Sequence, residues 1–389
     1  MKQGWTYKKL GELGTIVTGS TPSTKIKEYY CSNDYCFIKP SDLPAEGYQI
    51  IVESENYISS KGYEVSRKLP KGSVLVSCIG IIGKTAILGM DACTNQQINA
   101  IIPNEYVNNK FLAYSILSQR YVLSSVANAP VVPLINKSDF SKVEIPLPPL
   151  SVQHSIVSEL DKINELIRLK KEQLKDYDNL AQSIFFEMFG DPVVNEKGWE
   201  VKKLGEVAMI KTGPFGSMLH KEDYITGGIP LINPMHIQNF KAVPDKDFSI
   251  SKEKATELCN YQLKINDVIF ARRGVIGRCA VISDKEAGCL CGTGSLFVRF
   301  ERKLSSIYTM YVVRTTSFIK ELVSKAKGAT MLNLNSSTME NLRFPIPPLP
   351  LQQLFAQRIE LIEKQKAEIQ STIADLETLL ASRMQYWFD

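Results

Sequence analysis

The chain has 389 residues, of which 44% are hydrophobic, and its formal net charge is +5. The length exceeds the usual size of one domain and the apolar content can fill two cores, whereas so mild a charge excludes a histone-like polyanion binder. No apolar run approaches the ~20 residues of a membrane helix, and the N-terminal segment lacks an apolar signal core, so we expect a soluble, cytoplasmic protein.

The first 148 residues have the pattern of a mixed α and β unit. The apolar run Ser73–Ile79 is bounded by glycines and is typical of a buried strand, whereas Asn109–Ser124 has a helical pattern. A long helix is predicted over residues 149–190. It begins after a Pro-Pro pair, where the missing N–H costs nothing, and it ends where Gly190 and Pro192 follow Phe189.

The rest of the chain repeats this order, and the repeat decides the architecture. Residues 191–347 form a second unit, with a strand at Asp267–Ala271 and a helix at Ser306–Ser324, and a second long helix covers residues 348–389. Several motifs recur at an offset of 194, namely Trp5/Trp199, Lys8–Glu12/Lys202–Glu206, Thr18–Gly19/Thr212–Gly213, Ile38–Pro40/Ile232–Pro234 and Gly80–Lys84/Gly274–Arg278. Near the end of each unit the offset rises to 199, so the second unit has five more residues than the first. These extra residues indicate that the later part of each unit contains variable loops.

Both long helices carry apolar residues alternately four and three positions apart, which is the a/d seam of a coiled coil. Each seam includes one lysine: Ile156, Leu160, Ile163, Ile167, Lys170, Leu174, Tyr177 and Ala181 in the first helix, and Phe355, Ile359, Ile362, Lys366, Ile369, Ile373, Leu376 and Leu380 in the second. A narrow seam of this length needs a partner helix, and the other copy is available. We therefore predict an antiparallel coiled coil, with packing of each helix on its own globular unit as the alternative.

The fold prediction is thus an α+β protein with two pseudo-repeated globular domains, 1–148 and 191–347, separated by two long helices, 149–190 and 348–389, that form an antiparallel coiled coil.

Several enzymatic motifs are approached but not matched. A phosphate-binding loop would need a glycine at Cys78 to accompany Gly83-Lys84-Thr85, and the second copy has Arg278 in place of the lysine. Asn233-Pro234-Met235-His236 lacks the second proline of a methyltransferase tetrad. A nuclease core needs an acid-x-Lys triplet close to Pro244-Asp245, and the nearest one that follows is the distant Glu301-Arg302-Lys303. The eight cysteines and three histidines show no metal-ligand spacing. We expect no catalytic residue, metal or cofactor in this chain.

Polar and basic residues around the repeated turns are the candidates for DNA contact. The paired arginines suit guanine edges or phosphates, and the amides suit adenine edges, although a role in capping turns is equally open for each. The candidates are Lys39, Ser41, Ser77, Lys84, Asn95, Gln96 and Gln97 in the first unit, and Asn233, His236, Arg272, Arg273, Arg278 and Thr293 in the second. Because the shared frame carries different side chains, the two units are expected to read different sequences.

The ordered motifs resemble one family. Trp-x-x-x-x-Leu-Gly-Glu at the start of each half, the Gly-x-x-Gly-Lys/Arg turn, Asn-Gln-Gln, and Ile-Pro-x-Pro-Pro-Leu-x-x-Gln before a long helix are similar to the specificity subunit of type I restriction-modification systems. The resemblance covers nearly the whole chain.

The resemblance implies two target recognition domains, each reading one half of a bipartite, asymmetric site on double-stranded DNA. It implies that the helices set the spacing and dock two methyltransferase subunits, through which restriction subunits join. Two other classes remain open from the residues: a coiled-coil scaffold or DNA-binding module outside restriction-modification, and an enzyme with an unrecognised site.

Overall fold

The computed structural model describes residues 4–126, 133–300, 304–326 and 333–388. The chain forms two compact units, one of Met1–Lys171 with Ser371–Asp389 and the other of Glu172–Gln370. Each unit therefore contains one globular domain and half of each long helix.

The first globular domain has ten strands and four short helices. They are β1 Thr6–Lys9, β2 Gly14–Thr18, β3 Tyr35–Ile38, β4 Tyr48–Ile51, β5 Tyr57–Ile58, α1 Ser60–Glu64, β6 Val74–Ser77, β7 Thr85–Leu88, β8 Cys93–Thr94, β9 Ile98–Pro103, α2 Asn109–Ser118, α3 Arg120–Val126, α4 Lys137–Lys142 and β10 Glu144–Leu147. The main sheet has the order β2-β9-β6-β7-β4, a second sheet has the order β5-β3-β8, and β1 pairs with β10.

The second globular domain repeats this plan. Its elements are β11 Glu200–Lys203, β12 Ala208–Thr212, β13 Tyr224–Ile225, β14 Ile229–Ile232, β15 Ile237–Gln238, β16 Lys241–Ala242, β17 Ser249–Ile250, α6 Lys252–Glu257, β18 Val268–Ala271, β19 Cys279–Val281, β20 Leu290–Cys291, β21 Ser295–Phe300, α7 Ser306–Arg314, α8 Thr316–Lys325, α9 Ser336–Glu340 and β22 Arg343–Ile346. The sheet β12-β21-β18-β19 corresponds to β2-β9-β6-β7, and β14-β20 corresponds to β3-β8.

The predicted central strands are confirmed, and each is buried on both faces. Val74 and Val76 of β6 pack in one apolar cluster with helix α2, while Leu75 packs in another on the opposite face. In β18, Val268 and Phe270 likewise face one cluster, and Ile269 faces the other. Burial on both faces explains why these strands are continuous apolar runs and not alternating patterns.

The helices predicted at Asn109–Ser124 and Ser306–Ser324 are each broken into two. Thr315 has an extended backbone between α7 and α8, and its side chain accepts a hydrogen bond from Phe318 N as the N-cap of α8. The break between α2 and α3 falls at Gln119, whose backbone leaves the helical range. At Thr315, therefore, a cap that restarts the helix overrides the continuous apolar pattern.

The long helices are α5 Leu150–Phe189 and α10 Leu349–Phe388. Each begins beside a fully buried glutamine, Gln153 or Gln352, in the first turn. Gln153 Oε1 accepts a hydrogen bond from Asn108 N at 2.8 Å, and Nε2 donates to Tyr106 O at 3.0 Å and Pro148 O at 2.9 Å. Gln352 Oε1 likewise accepts a hydrogen bond from Ser305 N, and its Nε2 donates to Pro347 O. The same pattern of hydrogen bonds therefore fixes the start of each long helix to its own domain.

The coiled coil is antiparallel within each unit. In the first unit Glu159 pairs with Arg383, and Lys171 Nζ lies 2.8 Å from a Glu377 carboxylate oxygen. In the second unit Lys366 Nζ lies 2.8 Å from Asp178 Oδ1 and Arg358 Nη1 lies 3.9 Å from Met188 Sδ, so the residue number on α10 again falls as the number on α5 rises. The seam residues Ile163, Ile167, Ile369 and Ile373 are buried, which confirms the predicted period.

The alternative, in which each helix packs on its own globular unit, is also present in the structure. Ile156 and Leu160 of α5 share an apolar cluster with the first domain, and Phe355 and Ile359 of α10 share one with the second. The first turns of each helix thus belong to a domain core, and the seam continues beyond it.

Candidate nucleic-acid interface

The candidate residues of the first domain lie at the ends of β3, β8 and β6 and in the turn that follows β6. Strands β3 and β8 run in parallel, with Ile38 opposite Thr94, and Asn95 N donates to Ile38 O at 3.1 Å. Lys39 begins a single turn of 3₁₀ helix, Pro40–Asp42, in which its N–H donates to Asp42 Oδ2 at 2.7 Å. The Nζ of Lys39 donates to Asn56 Oδ1 at 2.7 Å, and Ser41 is exposed. Lys39, Ser41 and Asn95 therefore lie at one edge.

The glycine turn after β6 closes on the same edge. Gly80 and Gly83 both have positive φ, at 73° and 80°, and any side chain other than hydrogen would strain the turn there. Ser77 is fully buried: its hydroxyl donates to Ile81 O at 2.6 Å and accepts from Lys84 N at 2.9 Å. Lys84 Nζ lies 3.4 Å from Pro40 O, joining this turn to the one that follows β3.

The three amides of the first domain are partly used within the protein. Asn95 Nδ2 donates to Gln97 Oε1 at 2.9 Å, and Gln97 N donates to Asn95 Oδ1 at 3.1 Å. Cys78 N donates to Gln97 O at 2.8 Å, so this loop is fixed to the end of β6. Gln96 is exposed and accepts a hydrogen bond from Thr21, a residue outside the predicted candidates. Gln96 is thus the amide best placed to meet a ligand.

The second domain builds the same edge with different side chains. The turn Pro234–His236 follows β14, and Asn233 N lies 3.2 Å from His236 Nδ1. His236 is 4% exposed, packs edge-on against Phe248 at 5.1 Å, and its Nε2 has no hydrogen-bond partner among the described residues. Its ring occupies the place of the Asp42 carboxylate in the first domain, so His236 holds the turn from inside.

The arginines of the second domain lie where the first domain has Cys78 and its neighbours. Arg272 N donates to Gly294 O at 3.1 Å, Leu334 N donates to Arg272 O at 2.9 Å, and Arg272 Nε lies 3.3 Å from Asn333 Oδ1. Burial, and then the adjacent charge of Arg273, lower the pKa of Arg272 from its ordinary value. Arg273 and Arg278 are exposed, and Thr293 is half-buried between Gly292 and Gly294.

These three arginines form no ion pair with any residue the structure describes, which leaves a net positive edge. An anion placed there would meet two exposed guanidinium groups and a third that is already oriented by Asn333. The arrangement is suited to phosphate or to the acceptor edge of guanine.

A shared glycine explains why the Thr-Gly pair is repeated. A Cβ at Gly19 would lie 2.1 Å from Asn95 O, and one at Gly213 would lie 2.0 Å from Gly292 O. The strand ahead of each glycine therefore crosses directly over the candidate loop, and any larger side chain would push that loop away. The loop after each glycine, which contains Thr21 in one copy and Phe215 in the other, was not predicted as part of the edge.

Two concavities of the described residues lie away from this edge. The concavities of about 680 and 470 Å³ lie along the coiled coil near His154 and beside the strand pair at Trp199. Within the described ranges no three metal-binding side chains cluster, and no helix is long and apolar enough to cross a membrane.

Two duplicated domains with similar edges of polar and basic residues, together with two long paired helices, are the features of a DNA specificity protein. The model of the type I restriction modification DNA specificity domain matches residues 2–176 and again residues 196–378, and the chain belongs to this family.

Relatives and solved structures agree. The type I restriction enzyme MjaIX specificity subunit of Methanocaldococcus jannaschii is 29% identical, over 92% of this chain and 87% of that protein. The HindI specificity subunit of Haemophilus influenzae is 34% identical over 41% of this chain and 36% of its own length. A chain from a structural study of assembly in the type I R-M system has a TM-score of 0.64, with 20% identity and coverage of 99% and 97%. The S subunit from M. genitalium has a TM-score of 0.56, with 14% identity and coverage of 99% and 96%.

Proposed function

We propose that this chain reads a bipartite, asymmetric site on double-stranded DNA, with one half-site for each domain. One observation carries the proposal: the same three strand ends and turns form an edge in both domains, while the side chains on it differ. Lys39 and Asn233 occupy the same backbone position, as do Cys78 and Arg272. A common frame with exchanged polar groups is what two readers of different sequences require.

Within that edge, the exposed residues are the proposed DNA contacts and the buried ones are their supports. Gln96, Arg273 and Arg278 have free surface, and Lys39, Lys84, Asn233, Arg272 and Thr293 are half-buried at the rim. Ser77 and His236 are buried and hydrogen-bonded inside their turns, so we assign them to the frame. The base contacts therefore fall to fewer residues than the sequence pattern offered.

The coiled coil is proposed to set the distance between the two half-sites. Each of the 40-residue helices starts in one unit and ends in the other, and the ion pairs within each unit fix the two helices in register. At about 1.5 Å per residue, each helix is some 60 Å long, comparable with about seventeen base pairs of duplex. The length of the paired helices would therefore determine the distance between the two half-sites on the DNA.

Catalysis is proposed to lie outside this chain. Two methyltransferase subunits would dock on it and methylate the adenines, and restriction subunits would join through them, in the cytoplasm. The names of the relatives as restriction enzyme specificity subunits support this division of labour. The scaffold and DNA-binding alternatives outside restriction-modification have no support in the family to which the chain belongs.

The decisive experiment is methylation profiling of the host genome with and without this gene. We expect one bipartite methylated motif that disappears on deletion and returns on complementation. Complementation with Arg272→Ala and Arg273→Ala together should relax one half of the motif, whereas the matched exposed-cation variant Lys197→Ala, away from the edge, should restore it unchanged. A motif that persists without the gene, or DNA methylation by the purified chain alone, would contradict the proposal.

A further inference from the structure

The edge of the second domain exposes large apolar side chains on three separate loops. Phe215 is 60% exposed, Met218 40%, Met235 54% and Val275 59%. Turns are usually lined by polar residues, because an apolar side chain there stays in water. Four such side chains at a proposed DNA edge therefore call for a ligand with an apolar surface.

The first domain differs at these positions. Lys27-Glu28 and Tyr30 recur as Lys221-Glu222 and Tyr224 at the same offset of 194, so the loops align without a gap. The counterparts of Phe215, Met218 and Met235 are then hydroxyl residues, namely Thr21, Thr24 and Ser41. Only the glycine turn carries an apolar residue in both copies, namely Ile81 in the first and Val275 in the second.

Phe215, Met235 and Val275 belong to none of the apolar clusters that the structure describes in the second domain. Met218 differs, because its Sδ accepts a hydrogen bond from Tyr261 Oη at 3.4 Å. In the glycine turn Ile276 is 7% exposed and joins the core, whereas its neighbour Val275 points out. The turn that carries Met235 is held by Pro234 and His236, and Pro234 lies against Gly294, where an added Cβ would come within 2.9 Å. The backbone therefore presents these side chains at fixed positions.

The charges around the apolar group indicate the ligand. Val275 lies between Arg273 and Arg278, which are exposed and have no ion-pair partner among the described residues. A hydrophobic protein surface would have to desolvate these cations, whereas a DNA groove offers phosphates to them and base edges to the apolar tips. In the major groove the apolar group on a base edge is the C5 methyl of thymine.

We propose that the second domain recognises thymine methyl groups through Phe215 and Met235, and that the first domain, which has Thr21 and Ser41 at these positions, depends mainly on hydrogen bonds. This inference rests on the proposed function, because it names the base chemistry read by one of the two edges.

The test uses the full chain in complex with its methyltransferase subunits and duplexes of the methylated motif. Thymine is replaced by deoxyuridine, which lacks only the methyl group, in one half-site at a time. Loss of one buried methyl contact should raise the Kd about fourfold. We expect that rise, measured by competition anisotropy, for one half-site and less than a twofold change for the other.

The protein variants identify the reader. Phe215→Thr with Met235→Ser installs the residues of the first domain, and it should remove the difference between thymine and deoxyuridine at the sensitive half-site. Val201→Thr, which changes an exposed valine of β11 by one methyl-to-hydroxyl exchange, should leave the difference intact. Circular dichroism and the unfolding midpoint serve to check that each variant is folded.

Two outcomes would overturn the inference while leaving the proposed function standing. Site-selective binding with no deoxyuridine effect, or with equal effects at both half-sites, would show that the apolar tips do not read methyls. A variant that weakens binding of the methyltransferase subunits, with its thymine preference unchanged, would make the edge a protein contact. Loss of all sequence selectivity in the unmodified complex would instead refute the proposed function.

Discussion

Gln153→Met removes the hydrogen bonds that start the first long helix while keeping the length and volume of the side chain. Gln153 is fully buried and joins Asn108 N, Tyr106 O and Pro148 O at 2.8–3.0 Å. At about 1 kcal/mol for each hydrogen bond lost, the first unit should lose roughly 3 kcal/mol of unfolding free energy. For a unit of this size, that corresponds to a fall in midpoint of roughly 6–12 °C.

Scanning calorimetry of the full chain, with tryptophan fluorescence in urea as a second probe, measures this change. Trp5 and Trp387 belong to the first unit and Trp199 to the second, so a Trp199→Phe background makes the fluorescence report on the first unit. Gln182→Met, at an exposed position in the same helix, is the matched control and should change the midpoint by less than 1 °C. A shift for Gln153→Met as small as that of the control would refute the capping role.

Further predictions concern recognition and the coiled coil. Arg272→Ala should cost about 1–3 kcal/mol at one half-site only, measured with duplexes scrambled in one half. Lys84→Ala should reduce the slope of log K against log salt by about one at the other half-site; an unchanged slope would exclude a phosphate contact. Insertion of four residues, about one turn, into both helices should change the gap in the methylated motif, and an unchanged gap would exclude the spacing role. Hydrogen bonds from Arg383 and then Trp387 hold the pKa of Glu159 below its ordinary value of 4.5, so this contribution to stability is present above that pH and is lost as the pH falls below it. The difference in midpoint between the native chain and Glu159→Gln should therefore shrink below pH 4.5.

The architecture could be predicted from the sequence because its signals are periodic or repeated. The coiled-coil seam follows from a single period, and the duplicated domains follow from motifs at a constant offset. The offset also locates the extra residues: Ile98 and Ser295 occupy equivalent places at 197, so three of the five inserted residues lie between the glycine turn and β21. The break at Thr315 was missed because a single capping side chain decides it, and the break at Gln119 was missed because it is a local change of backbone angles; apolar spacing carries no trace of either.

The candidate residues of the edge were predicted one by one from the sequence. Which of them can contact a ligand depends on how deeply each side chain is buried, and the sequence does not show this. Ser77 and His236 have the polar chemistry of a DNA contact, yet both hydroxyl and ring are turned inward to hold a backbone turn. A polar residue at a turn serves either as a cap or as a reader, and the pattern of neighbours is the same in both cases. Phe215 was missed for the opposite reason, since an apolar residue in a loop is ordinarily assigned to the core.

Residues that are identical in the two domains have different structural roles from residues that differ between them. Gly19 and Gly213 permit a backbone crossing that no other residue allows, and Gln153 and Gln352 join each long helix to its domain through buried hydrogen bonds. These residues fix where the edge lies relative to the coiled coil, and changing them would move the whole reader. The exchanged residues, such as Ser41 and Met235, lie on turns that the frame already holds in place. If the edges read DNA as proposed, a new half-site can arise by substitution on the turns alone, while the residues that hold each edge on its own domain stay unchanged.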